Sequence, residues 1–152
     1  MERTITLRLP DLEATGTLAT RLARLLGRGD AVLLEGPLGA GKSELARRVL
    51  RAAAGDPALE VPSPTFTLVQ SYALPIGTVH HYDLYRLAGP GDLAELGWDE
   101  AREDIVIVEW PDRLGPLAPV GALRIALAPG PTAEARLATL SGWDARLGAL
   151  AA

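Results

Sequence analysis

The sequence predicts an α/β fold: a single P-loop NTPase-like domain over residues 1–152, with a mixed, partly antiparallel central sheet flanked by helices. Three observations predict it. Two short, wholly apolar runs, Ala31-Val32-Leu33-Leu34 and Ile105-Val106-Ile107-Val108, are bounded by turn residues and read as central strands buried on both faces. Between the first run and an amphipathic helix stands the glycine-rich turn Gly36-Pro37-Leu38-Gly39-Ala40-Gly41-Lys42-Ser43. Pro75 and Gly77 divide two strand-like runs at hairpin spacing, which brings antiparallel strands into the same sheet.

In chain order, Thr4 to Leu9 alternates Ile5, Leu7 and Leu9 with polar residues, the period of a half-buried strand, and Pro10 stops it. Asp11 or Thr15 can cap the helix that follows, in which Leu18, Leu22, Leu25 and Leu26 recur at helical spacing until Gly27 and Gly29 end it. The strand at 31–34 leads into the glycine-rich turn. A second helix runs from Ser43 to about Ala54, with Leu45, Ala46, Val49 and Leu50 on one side, Arg47, Arg48 and Arg51 on the other, and Gly55 closing it. Pro57, Pro62 and Pro64 keep residues 55–65 irregular. Strands are then expected from Phe66 to Ala73 and from Thr78 to Asp83, and one or two short helices within 89–103. The strand at 105–108 ends at Glu109, a proline-rich stretch follows, and strands at 122–128 and 134–140 precede a short helix in the tail.

Composition narrows the function classes. The 152 residues carry no cysteine, which excludes disulfides and thiolate metal sites, and two histidines. A net charge of -4 argues against a dedicated nucleic-acid binder, so any link to RNA is expected to be indirect. No apolar run approaches the roughly 18 residues of a membrane span, so a cytoplasmic protein without membrane contact is expected. Among 15 basic residues Lys42 is the single lysine.

That lysine stands in the G-x-x-x-x-G-K-[ST] pattern, after a buried strand and at the start of a helix, where the pattern has a mechanism. The glycines let successive N–H groups turn inward as an anion nest, and the helix points its positive end at the same phosphates. Lys42 is the expected cation for the β and γ phosphates, and a compact ammonium suits that task. Ser43 offers magnesium a hydroxyl. Pro37 lacks an N–H and removes one donor from the nest.

Magnesium needs further oxygens, and a P-loop site draws an acidic residue from the end of a neighbouring buried strand. Glu109 and Asp83 both end strands, and Glu35 lies beside the loop; each can instead be a solvated strand-end carboxylate, the reading preferred for Glu35 and not for Glu109 or Asp83. His80 and His81 are adjacent, so on a strand they face opposite ways and cannot grip one metal together, though one can serve the site. Ser63-Pro64-Thr65 sits in an irregular loop where a hydroxyl can sense a γ-phosphate or simply make a turn. Trp98 and Trp110 fit either the core or stacking on a base.

Taken together, Leu34 to Ser43, Ser63 to Val69, the run His81-Tyr82-Asp83-Leu84-Tyr85-Arg86-Leu87 and Val108-Glu109-Trp110 resemble, in order, the signatures of the TsaE (YjeE) family, small ATPases of bacterial tRNA threonylcarbamoyladenosine synthesis. The resemblance spans about residues 11–140. It implies that residues Gly36, Pro37, Leu38, Gly39, Ala40, Gly41, Lys42 and Ser43 bind ATP, that Ser43 and Glu109 hold magnesium, and that Asp83 lies near the γ-phosphate with a role in hydrolysis. It further implies a switch-like Thr65 and a nucleotide contact from Thr15, placed before the first helix, with Arg136 as another candidate. The implied partners are TsaD and TsaB, with tRNA reached through their complex, and the implied use of ATP is to drive or reset that complex. The sequence departs from the family in Ser43, where threonine is usual, and in Pro37, where an aspartate is frequent.

Two other readings compete. A small-molecule kinase shares the phosphate loop, but Arg86, Arg102 and Arg113 are scattered where a lid would cluster them. A non-hydrolysing interaction module would keep nucleotide for stability alone.

Overall fold

A computed structural model describes residues 3–64 and 66–151. Its thirteen elements include seven strands: β1 (Thr4–Leu9), β2 (Ala31–Glu35), β3 (Val69–Leu74), β4 (Gly77–Asp83), β5 (Ile105–Glu109), β6 (Leu123–Pro129) and β7 (Arg136–Ser141). The helices are α1 (Leu12–Leu25), α2 (Lys42–Ala54), α3 (Trp98–Ala101) and α4 (Leu147–Ala151), with 3-10 segments at Pro90–Leu96 and Pro111–Leu117.

The strands form one mixed sheet in the order β1-β7-β6-β2-β5-β4-β3. β2 is parallel to both β5 and β6, and β4 is parallel to β5, whereas β1, β7 and β3 pair antiparallel with their neighbours. The two apolar runs of the sequence are thus the central neighbours β2 and β5, with Leu34 opposite Glu109. The same parallel alignment sets Asp83 opposite Glu109, so the carboxylate-bearing ends of β4 and β5 adjoin the exit of β2.

Both faces of the sheet are covered. Val32, Leu34, Ile105 and Ile107 pack with Leu18, Leu22, Leu45 and Leu50 of α1 and α2, while Leu33, Val106 and Val108 pack with Leu93, Trp98 and Leu114 of the opposite layer. In that second layer the Tyr82 and Trp98 rings meet edge to face at 5.2 Å. Trp98 is therefore a core residue. No helix among the described residues is long and apolar enough to cross a membrane.

Three local expectations are corrected. Asp11 alone caps α1, its carboxylate accepting from Ala14 N at 2.8 Å, because the helix starts at Leu12 and Thr15 already lies inside its first turn. α1 ends before the glycines: Leu26 turns extended, and Gly27 N donates to the Asp30 carboxylate at 2.8 Å. β3 begins at Val69 rather than Phe66. Leu68 N closes a turn onto Pro64 O at 2.6 Å with Leu68 at φ 68°, so the chain is still turning where a strand is expected from the sequence.

Candidate functional site

The glycine-rich loop leaves β2 at the edge where β4 and β5 end, and its last residues open α2. Glycine is required at two points. Gly36 has φ +143°, and a Cβ there would stand 2.4 Å from Leu127 O; Gly41 has φ +101°, and a Cβ would stand 2.7 Å from Arg136 Nε. The loop can therefore press against β6 on one side and Arg136 on the other.

A cleft of about 400 Å³ opens above the loop. Leu38, Gly39, Gly41, Lys42 and Ser43 form its floor, Asp83 and Glu109 its strand-end wall, and Trp110 and Arg136 stand on its flanks. A larger hollow of about 620 Å³, around residues 118–122 and Trp143, lies at the opposite end of the sheet and contains none of the carboxylates or the lysine singled out by the sequence.

Lys42 is only 5% exposed, and its ammonium donates to the carbonyls of Gly36 at 2.6 Å and Pro37 at 2.9 Å, lying 4.2 Å from the centre of the Trp110 ring. Burial pushes its pKa down, opposed by the charges of Glu109 and Asp83. Ser43 Oγ donates to Glu109 Oε1 at 2.7 Å. Glu109, 2% exposed, meets His81 Nε2 at 2.6 Å through its other oxygen. Asp83, 6% exposed, accepts from Tyr85 N at 3.1 Å. The cleft thus brings together a buried cation, a hydroxyl and two carboxylates. The Ser43 and Glu109 oxygens are hard donors of the kind a small divalent cation takes.

Two of the three non-glycine residues with positive φ among the described residues lie at the same edge, the third being Trp143 at the other end of the sheet. Trp110 sits at φ 60° and Leu68 at φ 68°, conformations that L residues with side chains rarely adopt and that cluster at functional sites. Leu68 O accepts from Asp83 N at 3.0 Å, tying the loop before β3 to the carboxylate wall.

The candidates from the sequence divide accordingly. Lys42, Ser43, Asp83, Glu109 and Arg136 all line the cleft, together with Leu38, Gly39 and Gly41. Gly36 and Pro37 serve it through the carbonyls that hold Lys42. Ala40 is buried beneath the loop, its N–H donating to Pro37 O at 3.1 Å. Arg136 spends one guanidinium nitrogen on Ala133 O and Ala135 O, at 2.7 and 2.8 Å. Thr15 is buried in α1 and does not line the cleft. Glu35 pairs with Arg124 at 2.8 Å outside it, the solvated-carboxylate alternative. Thr65 lies outside the described residues. The histidines part as strand geometry requires: His81 turns to Glu109, and His80 joins Ser71 and Asp104.

Two residues lining the cleft, Tyr85 and Arg86, stand in a quoted motif but have no role assigned to them from the sequence. Tyr85 packs on Trp110 with ring centres 4.9 Å apart, and Arg86 lies over the 83% exposed Phe66 ring at 4.9 Å. Both follow Asp83 within three residues, so a strand-end carboxylate continuing into an aromatic and an arginine was the available signal.

Residues 9–137 match the family described as threonylcarbamoyl adenosine biosynthesis protein TsaE. The tRNA threonylcarbamoyladenosine biosynthesis protein TsaE of Mycobacterium bovis is 37% identical over 143 residues, covering 88% of this chain and 84% of that protein. The protein of that name from Rickettsia bellii is 35% identical over 116 residues, covering 76% and 80%. That of Rickettsia felis is 42% identical over 99 residues, covering 64% of this chain and 57% of its own length. The crystal structure of YdiB from Bacillus subtilis superposes with a TM-score of 0.76 at 25% identity, covering 99% of this chain and 93% of that one. Given the profile match over residues 9–137, the chain belongs to the TsaE family.

Proposed function

We propose that the protein is a magnesium-dependent ATPase that acts in tRNA threonylcarbamoyladenosine (t6A) synthesis, binding and slowly hydrolysing ATP to drive or reset a TsaB–TsaD transferase complex. The observation that carries the reading is the Ser43–Glu109 hydrogen bond of 2.7 Å beside the buried Lys42 ammonium. Loop amides and the start of α2 would receive the phosphates, and Lys42 would exchange the Gly36 and Pro37 carbonyls for phosphate oxygens. Ser43 and Glu109 would hold magnesium, which when bound neutralises the charge developing between the β and γ phosphates. Asp83 would stand near the γ-phosphate and take part in hydrolysis, with Thr65 as a switch-like neighbour and Arg136 beside the loop.

Leu38 and Tyr85 line the cleft with exposed apolar and aromatic side chains that a partner surface would cover. A site finished by a partner surface turns over slowly alone, which fits a nucleotide used as a conformational switch. tRNA would be reached through the complex, consistent with a net charge of -4.

The test is reconstituted tRNA modification with purified TsaD and TsaB. Parent protein should support repeated rounds of t6A formation, and Lys42→Ala should not. Modification that is indifferent to the protein, together with ADP release stimulated by a small-molecule acceptor, would favour the kinase reading instead.

A further inference from the structure

His81 stands behind the carboxylate wall, outside the lining of the cleft. It precedes Asp83 by two residues on β4, so both side chains share a face, while His80 takes the other. In the parallel register His81 is opposite Ile107, one alternation short of Glu109. That diagonal offset lets the imidazole Nε2 reach Glu109 Oε2 at 2.6 Å. The two side chains are 1% and 2% exposed. The other oxygen of the same carboxylate is the one that accepts from Ser43 Oγ at 2.7 Å. His81 Nδ1 is buried and has no hydrogen-bond partner among the described residues.

A carboxylate removed this far from water needs a protein donor for each oxygen. Ser43 serves Oε1, and among the described residues the imidazole serves Oε2. The tautomer follows from the surroundings: a proton on Nε2 is bonded to the carboxylate, whereas a proton on Nδ1 would be buried with no acceptor and would turn two lone pairs toward each other across 2.6 Å. We propose that His81 is a positioning residue of this site, its Nε2–H pinning Glu109 Oε2 so that Oε1 is presented to Ser43 and to the magnesium of a bound nucleotide. The inference rests on the reading of Ser43 and Glu109 as magnesium ligands. A partner behind a ligand orients it and raises its basicity, and losing such a partner weakens the metal rather than the rest of the ligand.

Two measurements test it. In long-range 1H–15N spectra of the protein labelled in its two histidines, with His80→Gln separating the signals, His81 should carry its proton on Nε2 and none on Nδ1. An Nε2 that carries no proton would overturn the proposal, and this readout needs no change at His81. In calorimetry with ADP, His81→Leu should lose about 10- to 100-fold in affinity with magnesium in excess and stay within about twofold of the parent in EDTA, while His81→Gln, whose amide nitrogen reaches the place of Nε2, should recover most of the loss. Equal affinities of parent and His81→Leu in magnesium would overturn the proposal, and so would a loss of equal size in EDTA, the mark of a merely structural role. Should His81→Leu fail to fold, the tautomer and the comparison of His81→Gln with the parent decide. A parent whose ADP affinity ignores magnesium would defeat the underlying reading of the site, a failure told apart because it appears before any variant is made.

Discussion

Ser43 and Glu109, 66 residues apart in sequence, meet at 2.7 Å because β2 and β5 are parallel neighbours with Leu34 opposite Glu109. The loop leaving β2 must pass over the end of β5 before α2 begins, so the first hydroxyl of the helix lands on the last carboxylate of the strand. The chemistry proposed for the site is a consequence of strand order.

Glu109→Gln keeps the shape of that contact and removes its charge. Partner-stimulated ADP release should fall on the order of 100-fold, because a magnesium ligand contributes several kcal/mol of charge stabilisation at the transferring phosphoryl group. Steady-state turnover in the presence of TsaD and TsaB checks it, and unchanged turnover would contradict the placing of Glu109 on the magnesium.

Lys42→Ala should weaken ATP binding by about 10- to 100-fold, the worth of roughly 1.5–3 kcal/mol for hydrogen bonds from a charged donor. Calorimetric titration measures it. Undiminished affinity would contradict the ATPase and the kinase readings alike, since both need the cation.

Gly36→Ala tests the backbone rather than the chemistry. Its added Cβ meets Leu127 O at 2.4 Å and its φ is +143°, so the loop must shift or strain. A loss of about 1–3 kcal/mol, or roughly 2–12 °C in Tm, is expected by thermal unfolding.

Tyr82→Phe reports on the second core. Burial, helped by the charge of Glu100, pushes the Tyr82 hydroxyl from 10.0 up to about 12, and the hydroxyl donates to Leu96 O at 2.9 Å. Between these values the folded chain keeps a proton that the unfolded chain has lost, so the stabilisation is full below pH 10.0 and disappears as pH rises through about 12. Two units correspond to about 2–3 kcal/mol. Chemical denaturation at neutral pH and across that window should show Tyr82→Phe less stable than the parent by about 1 kcal/mol at neutral pH and less sensitive to alkali.

The sequence carried the elements whose signals are local. Apolar runs marked β2 and β5, the G-x-x-x-x-G-K-S turn fell between a strand and a helix as its mechanism requires, and Glu109 and Asp83 were candidates because they end strands. Signals that depend on a partner across the fold were not legible. Nothing in the order of residues says that Trp110 will cover Lys42, that Glu35 will be claimed by Arg124, or that His81 rather than His80 will face Glu109. β3 starts three residues later than the sequence suggests because the turn onto Pro64 O, which no local pattern announces, holds Phe66 and Leu68 out of the ladder.

The central claim is that the cleft hydrolyses ATP in the service of a partner complex, and the most direct measurement is ADP release by the purified protein with magnesium, alone and with TsaD and TsaB, while t6A formation is scored in the same tubes. Turnover that is slow alone, rises with both partners and falls with Asp83→Asn is the predicted result. Turnover and modification that ignore the partners would contradict the account.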